Sequence, residues 1–145
     1  MRLHLALALA LLCQVATAHA QGAINTNSTA YAIGGYDPVA YFTDGKPVSG
    51  KPEHAATARG AQWLFASAEH RALFVQNPER YLPAYDGYCA YGVSRGYLVK
   101  VDPRAFTIRD NRLYLNYSLD IRSPWLTDVV ERIRTADRLF PGLKH

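Results

Sequence analysis

Cysteine, histidine and aspartate side chains supply the groups in this chain that suit metal or thiol chemistry. Cys89 is the one thiol beyond residue 20, and His70 lies in a segment with a helical pattern. Thiolate and imidazole are preferred ligands of copper and zinc. Asp37 is the third candidate ligand. Because a structural zinc ion normally takes four protein donors, these three residues predict a weak copper or zinc site, or one shared with a partner.

Each of these residues also has a structural interpretation. Cys89 stands between Tyr88 and Ala90 and could be a small buried apolar residue. His70 could be a core histidine whose ring is hydrogen-bonded to the backbone. Asp37 precedes a proline, so its carboxylate is predicted to cap a short helix.

Four tyrosines could line a pocket around the thiol: Tyr36, Tyr41, Tyr88 and Tyr91. A redox or small-molecule-binding role for Cys89 is therefore an alternative, and it requires an accessible thiol with a lowered pKa. A further alternative is a non-catalytic interaction domain without a metal. The sequence has no glycine-rich phosphate loop, nucleophile-elbow serine or His-Glu-x-x-His motif. Cys89 and His70 are formally a nucleophile and a base, but the sequence favours a binding protein over an enzyme.

The first twenty residues have the pattern of an export signal. Arg2 precedes a run of leucine and alanine over residues 3–12, and an Ala-His-Ala sequence follows at 18–20. This pattern predicts cleavage before Gln21 and a periplasmic or secreted protein. The apolar run is too short to span a bilayer, so no stable membrane insertion is expected after cleavage.

Charge and cysteine content narrow the classes of partner. The chain has 16 Lys and Arg against 12 Asp and Glu, a formal net charge of +4, and the basic residues form no run. This mild excess argues against nucleic acid as a partner. With Cys13 inside the predicted signal, no internal disulfide can form in the exported chain. An exported partner protein is compatible with this sequence, which does not identify it.

Turn and cap signals predict an α+β fold with a small antiparallel sheet. One hairpin is predicted from segments 54–57 and 62–66, and a second from 106–108 and 113–117. A further strand is predicted at 98–101. Residues 21–34 are small and polar and are expected to form a flexible leader, and residues 35–145 are expected to form a single domain.

Several short helices complete the prediction. Asp37 and Ser67 are expected to cap helices over about 39–42 and 68–76. Residues 88–94 are expected to form a short buried helix. At the C-terminus, Ser123 is expected to cap an amphipathic helix that starts at Pro124. Its predicted inner face carries four apolar residues: Trp125, Val129, Ile133 and Ala136.

The order of five short motifs resembles the YHS domain family, and in particular its exported single-domain members. The motifs are GYDPVAYF at 35–42, WLFAS at 63–67, NPERYL at 77–82, GYCAY at 87–91 and LYLNY at 113–117. The order and spacing carry the resemblance, which extends from about residue 35 to residue 125.

The resemblance implies a small α+β fold and a metal-binding role. The positions at which relatives carry cysteines correspond here to Ala40, Ala66 and His70. Of these three, only His70 retains a donor atom. The resulting hypothesis is an exported YHS-like domain that binds a transition metal, copper or zinc.

Overall fold

Short helices and two β-hairpins alternate along residues 23–143, the part of the chain that the computed structural model describes. Its α-helices are α1 (Ala40–Thr43), α2 (Ala68–Gln76), α3 (Ala90–Ser94), α4 (Leu119–Thr127) and α5 (Val129–Leu139). Its strands are β1 (Lys51–Ala58), β2 (Ala61–Phe65), β3 (Asp102–Arg109) and β4 (Arg112–Asn116). The predicted α+β class is confirmed. The predicted export signal and its cleavage point lie outside the described residues.

Both predicted hairpins are present, each closed by a two-residue turn. Arg59 and Gly60 join β1 to β2, and Asp110 and Asn111 join β3 to β4; all four have positive φ. Two consecutive positive φ values are the geometry of a type I′ turn, which matches the twist of the flanking strands. The hairpins form two separate two-stranded sheets, where the sequence analysis expected one sheet.

The first hairpin packs its aromatic side chains against α2. Trp63 and Phe65, two residues apart on β2, are both fully buried. Their ring centroids lie 5.7 and 4.9 Å from that of Phe74 on α2. This contact fixes α2, and with it His70, against the end of β2.

The strand predicted at 98–101 is not formed; β3 begins directly after it. The carbonyl of Val99 instead accepts a hydrogen bond from the backbone N–H of Cys89 at 3.1 Å. Both backbone groups of Val101 bond to the side chain of Asn27, at 2.7 and 2.9 Å. The backbone groups of Val99 and Val101 therefore bond to Cys89 and Asn27, and not to a neighbouring strand.

The predicted flexible leader is wrong for residues 23–34, which pack onto the domain. Ile24 and Ile33 are buried in the main apolar cluster. The buried Asn25 side chain donates to the carbonyl of Gly87 at 2.9 Å. The small and polar composition of this segment predicts exposure to solvent. Asn25 and Asn27 instead bond to backbone groups of Gly87 and Val101, which are distant in the chain.

The predicted C-terminal helix starts earlier and is divided in two. Ser118 caps α4, accepting from the N–H of Ile121 at 3.1 Å. Ser123, the predicted cap, and Pro124 both lie inside α4. The chain departs from helical geometry at Asp128, where ψ is 43°, and α5 follows. Both serines suit a cap, and the earlier one starts the helix.

The predicted inner face of these helices is largely confirmed. Trp125 and Ala136 are fully buried, and Val129 and Ile133 pack against the same cluster. The ring of Trp125 lies 5.5 Å from that of Tyr114 on β4. Within residues 23–143, no helix has the length and apolar character required to cross a membrane.

Candidate functional site

The carboxylate of Asp37 is completely buried where α1, β2 and α2 meet. Its Oδ1 accepts from the backbone N–H groups of Val39 at 2.8 Å and Ala40 at 3.4 Å. Its Oδ2 accepts from the N–H of Ala66 at 2.8 Å and contacts Nδ1 of His70 at 2.6 Å. A buried carboxylate requires such partners, so Asp37 connects three elements through four contacts.

Two predicted helix caps bring His70 to this carboxylate. Asp37 caps α1 as expected. Ser67 caps α2, accepting from the backbone N–H of His70 at 3.1 Å. This places His70 in the first turn of α2, beside the end of β2, where its ring reaches Asp37.

One edge of the His70 ring contacts Asp37 and the other faces the surface. A buried carboxylate 2.6 Å from Nδ1 favours a proton on that nitrogen. In a neutral ring with that tautomer, Nε2 carries the lone pair. Nε2 lies 3.2 Å from Oγ1 of Thr43 and 3.7 Å from Oδ1 of Asp44. The His70 side chain is 16% exposed. The carboxylate–histidine arrangement is the usual support of a metal-binding imidazole.

Cys89 has a different set of partners. Its Sγ accepts from the backbone N–H groups of Tyr117 at 3.2 Å and Gly92 at 3.4 Å, and lies 3.6 Å from Oδ1 of Asn116. Cys89 is 1% exposed, and burial raises the pKa of its thiol despite the opposing effect of the backbone N–H groups of Gly92, Tyr117 and Tyr91. Of the three predicted ligands, Asp37 and His70 are therefore in contact with each other. Cys89 is instead buried at the start of α3, where its sulfur contacts other residues.

The environment of Cys89 meets neither condition for a reactive thiol. A raised pKa means that less thiolate is present near pH 8 than at an ordinary cysteine. We expect alkylation of the folded protein at pH 8 to be about 100-fold slower, or more, than in denaturant, because labelling requires local opening. Mass spectrometry after timed iodoacetamide treatment measures this. Complete labelling of the native protein within minutes would contradict it.

The four tyrosines predicted around Cys89 belong mainly to packing contacts. Tyr41 is fully buried, and its hydroxyl donates to the carbonyl of Pro103 at 3.1 Å. Tyr91 lies under the guanidinium of Arg132 at 4.5 Å. Tyr36 and Tyr88 are half-buried. A cleft of about 300 Å³ lies elsewhere, and none of the four lines it.

Thr43 and Asp44 are site residues that the sequence analysis missed. They end α1 and are 27 and 26 residues from His70 in the chain. The helix predicted at 39–42 ends just before these two residues, and nothing in their local sequence indicates that α2 lies beside them. They come close to His70 because α2 packs on the first hairpin.

The geometry around Nε2 accommodates two metal donors. Two ligand atoms that each lie about 2.0–2.2 Å from one ion are at most about 4.4 Å apart. The 3.7 Å separation between Nε2 of His70 and Oδ1 of Asp44 satisfies that limit. Residues 23–143 contain no group of three or more His, Cys, Asp and Glu side chains placed to hold a metal. An ion at His70 would need further donors.

The three positions that correspond to cysteines in the YHS resemblance all contact the carboxylate of Asp37. Ala40 and Ala66 donate their backbone N–H groups to it, and His70 contacts it through its ring. Comparison with models of known families, with curated proteins and with solved structures found no match for this chain.

Proposed function

We propose that this chain is an exported binding domain that holds a copper or zinc ion at His70, in a site completed by a donor from outside the chain. One observation carries the proposal. The buried carboxylate of Asp37 contacts Nδ1 of His70 and leaves Nε2 at the surface, beside the carboxylate of Asp44.

In this proposal Asp37 positions the imidazole and is not itself a ligand. Both of its oxygens already have two contacts each, and it has no exposed surface. His70 and Asp44 supply the donors, one nitrogen and one oxygen, a combination that suits zinc and copper(II). Cys89 has no part in the site because its sulfur is buried among other groups.

The resemblance to YHS domains adds support to this location. The three positions that it marks surround the carboxylate that orients His70. Two of them are alanines, which explains why the chain itself offers so few donors. Two protein donors predict weak binding, which strengthens when a partner or a small molecule supplies the others.

Metal titration of the folded protein tests the proposal. We expect the wild type to bind one equivalent of Cu(II) or Zn(II), and His70→Asn to weaken that binding at least tenfold because it removes the nitrogen donor. Asp44→Asn should weaken it several-fold. Isothermal titration calorimetry gives the affinities, and electron paramagnetic resonance of the Cu(II) form reports nitrogen coordination.

Two matched variants control for other sites. His54→Asn removes an imidazole from β1, and Cys89→Ser removes the thiol; both should leave the affinity unchanged. Equal binding by the wild type and His70→Asn would overturn the proposal. Loss of binding in Cys89→Ser, with the fold retained by circular dichroism, would place the metal at the thiol instead.

A further inference from the structure

A charged cleft of about 300 Å³ lies apart from the His70 site. It is bounded by the turn of the first hairpin, the segment 82–86, the start of β4, and the end of α5 with residues 140–141. Its charged side chains are Arg59, Glu79, Asp86, Arg112 and Asp137. This volume is at the lower end of that of small-molecule sites, which combine apolar walls with a few convergent polar groups.

Arg112 and Asp137 form an ion pair on the wall of this cleft. Nη1 of Arg112 lies 3.2 Å from Oδ1 of Asp137. The guanidinium lies over the rings of Tyr85 and Tyr114, at 5.2 and 5.4 Å from their centroids. The rings hold it in place, while the two charged side chains remain 43% and 48% exposed.

Both members of this pair keep capacity for a further ligand. The hydroxyl of Tyr85 donates to Oδ1 of Asp137 at 2.9 Å, so both contacts of this carboxylate use one oxygen. Its Oδ2 makes no hydrogen bond to another residue within 23–143. A guanidinium has five N–H donors, and the hydrogen bond from Nη1 of Arg112 to Asp137 uses only one of them.

The second arginine of the cleft pairs with the remaining carboxylates. Arg59 lies 2.8 Å from Glu79 and 3.2 Å from Asp86. Three carboxylates against two guanidiniums give the lining a formal charge of −1. This charge favours a cationic or zwitterionic ligand over an anion such as phosphate.

The backbone at the base of the cleft adopts an unfavourable conformation. Tyr85 and Asp86 have φ of 56° and 53°, a left-handed region that residues other than glycine rarely occupy. Both side chains line the cleft, where one contacts Asp137 and the other Arg59. The surrounding ion pairs hold this strained pair in position, as is common at binding sites.

We propose that this cleft binds a small zwitterion of the free α-amino acid type. The ligand carboxylate pairs with Arg112, whose planar donors suit it, and the ligand ammonium pairs with Oδ2 of Asp137. An α-amino acid carries its two charges on adjacent carbons, so it can contact both members of an ion pair 3.2 Å apart. The rest of the ligand packs against Leu82 and Phe140.

A nuclear magnetic resonance titration of the whole folded protein tests this proposal. The probes are L-leucine, L-phenylalanine, L-lysine and L-glutamate, each compared with the amine that lacks its carboxylate and the acid that lacks its ammonium. We expect saturable shifts with at least one amino acid, at an affinity at least tenfold higher than for either analogue. The shifted amides should be those of residues 82, 84–86, 112 and 137.

Variants then separate the cleft from nonspecific charge effects. Asp137→Asn should weaken amino acid binding at least tenfold, and Arg112→Lys should weaken it because it removes the planar donors. Asp120→Asn makes the same change in net charge at an exposed position of α4 and should have no effect. The proposal is overturned if no probe binds below about 10 mM, if the analogues bind as well as the amino acids, or if Asp137→Asn binds like the wild type. Because the shift map uses the wild type, a variant that fails to fold does not prevent the test.

Discussion

Replacing Asp37 with alanine should lower the free energy of unfolding by about 3–5 kcal/mol. The carboxylate is fully buried and has contacts with three backbone N–H groups and the His70 ring. Alanine would leave those donors without a partner in a site that excludes water, and each such loss costs about 1–3 kcal/mol. It would also remove the cap of α1. Urea denaturation followed by circular dichroism measures the change.

Asp44→Ala is the matched control for this loss. Asp44 stands at the end of the same helix and its side chain is 37% exposed, and its hydrogen bond comes from the neighbouring Thr43. We expect its removal to change stability by less than about 1 kcal/mol, as for most surface substitutions. A similar small change in Asp37→Ala would show that the buried carboxylate does not hold the three elements together.

A second large effect is expected at Gly50, immediately before β1. A Cβ atom there would overlap the carbonyl carbon of Leu64 and lie 2.5 Å from its Cβ. Neither atom is the end of a flexible side chain, so β1 and β2 would have to separate. The N–H of Gly50 also donates to the carbonyl of Gly35 at 2.9 Å, which opposes that shift. Gly50→Ala should therefore destabilise the protein by about 3 kcal/mol or more.

Gly142→Ala provides the comparison for Gly50. A Cβ at Gly142 would meet no atom within 4 Å, so its stability should remain within about 0.5 kcal/mol of the wild type. Thermal and urea unfolding of both variants measure the difference. Equal stabilities of the two variants would contradict the close approach of Gly50 to β2.

Local signals predicted much of this fold. The two hairpins and the caps at Asp37 and Ser67 depend on a few consecutive residues, and all are present. The predictions of a strand at 98–101 and of a flexible leader were wrong because both segments make contacts with residues far away in the chain: Asn25 bonds to Gly87 and Asn27 to Val101, 62 and 74 positions away. Sequence periodicity contains no information about such a partner.

The candidate site was predicted in its residue types but not in its arrangement. Asp37 and His70 were named from their chemistry, and their contact spans 33 residues. Asp44 gave no signal, because an acidic residue after a short helix is normally solvated. Likewise, Arg112 and Asp137 belong to a hairpin and a helix whose charges suggest an ordinary surface, and only the packing of α5 brings them together.

The side chain of Asn27 has a consequence for association between molecules. Its carboxamide offers the same donor and acceptor as a peptide group, and it bonds to both the N–H and the carbonyl of Val101. It thereby takes the place of a neighbouring strand along this extended stretch. Unpaired edges of that kind can recruit other chains into aggregates, and one asparagine blocks that pairing at Val101.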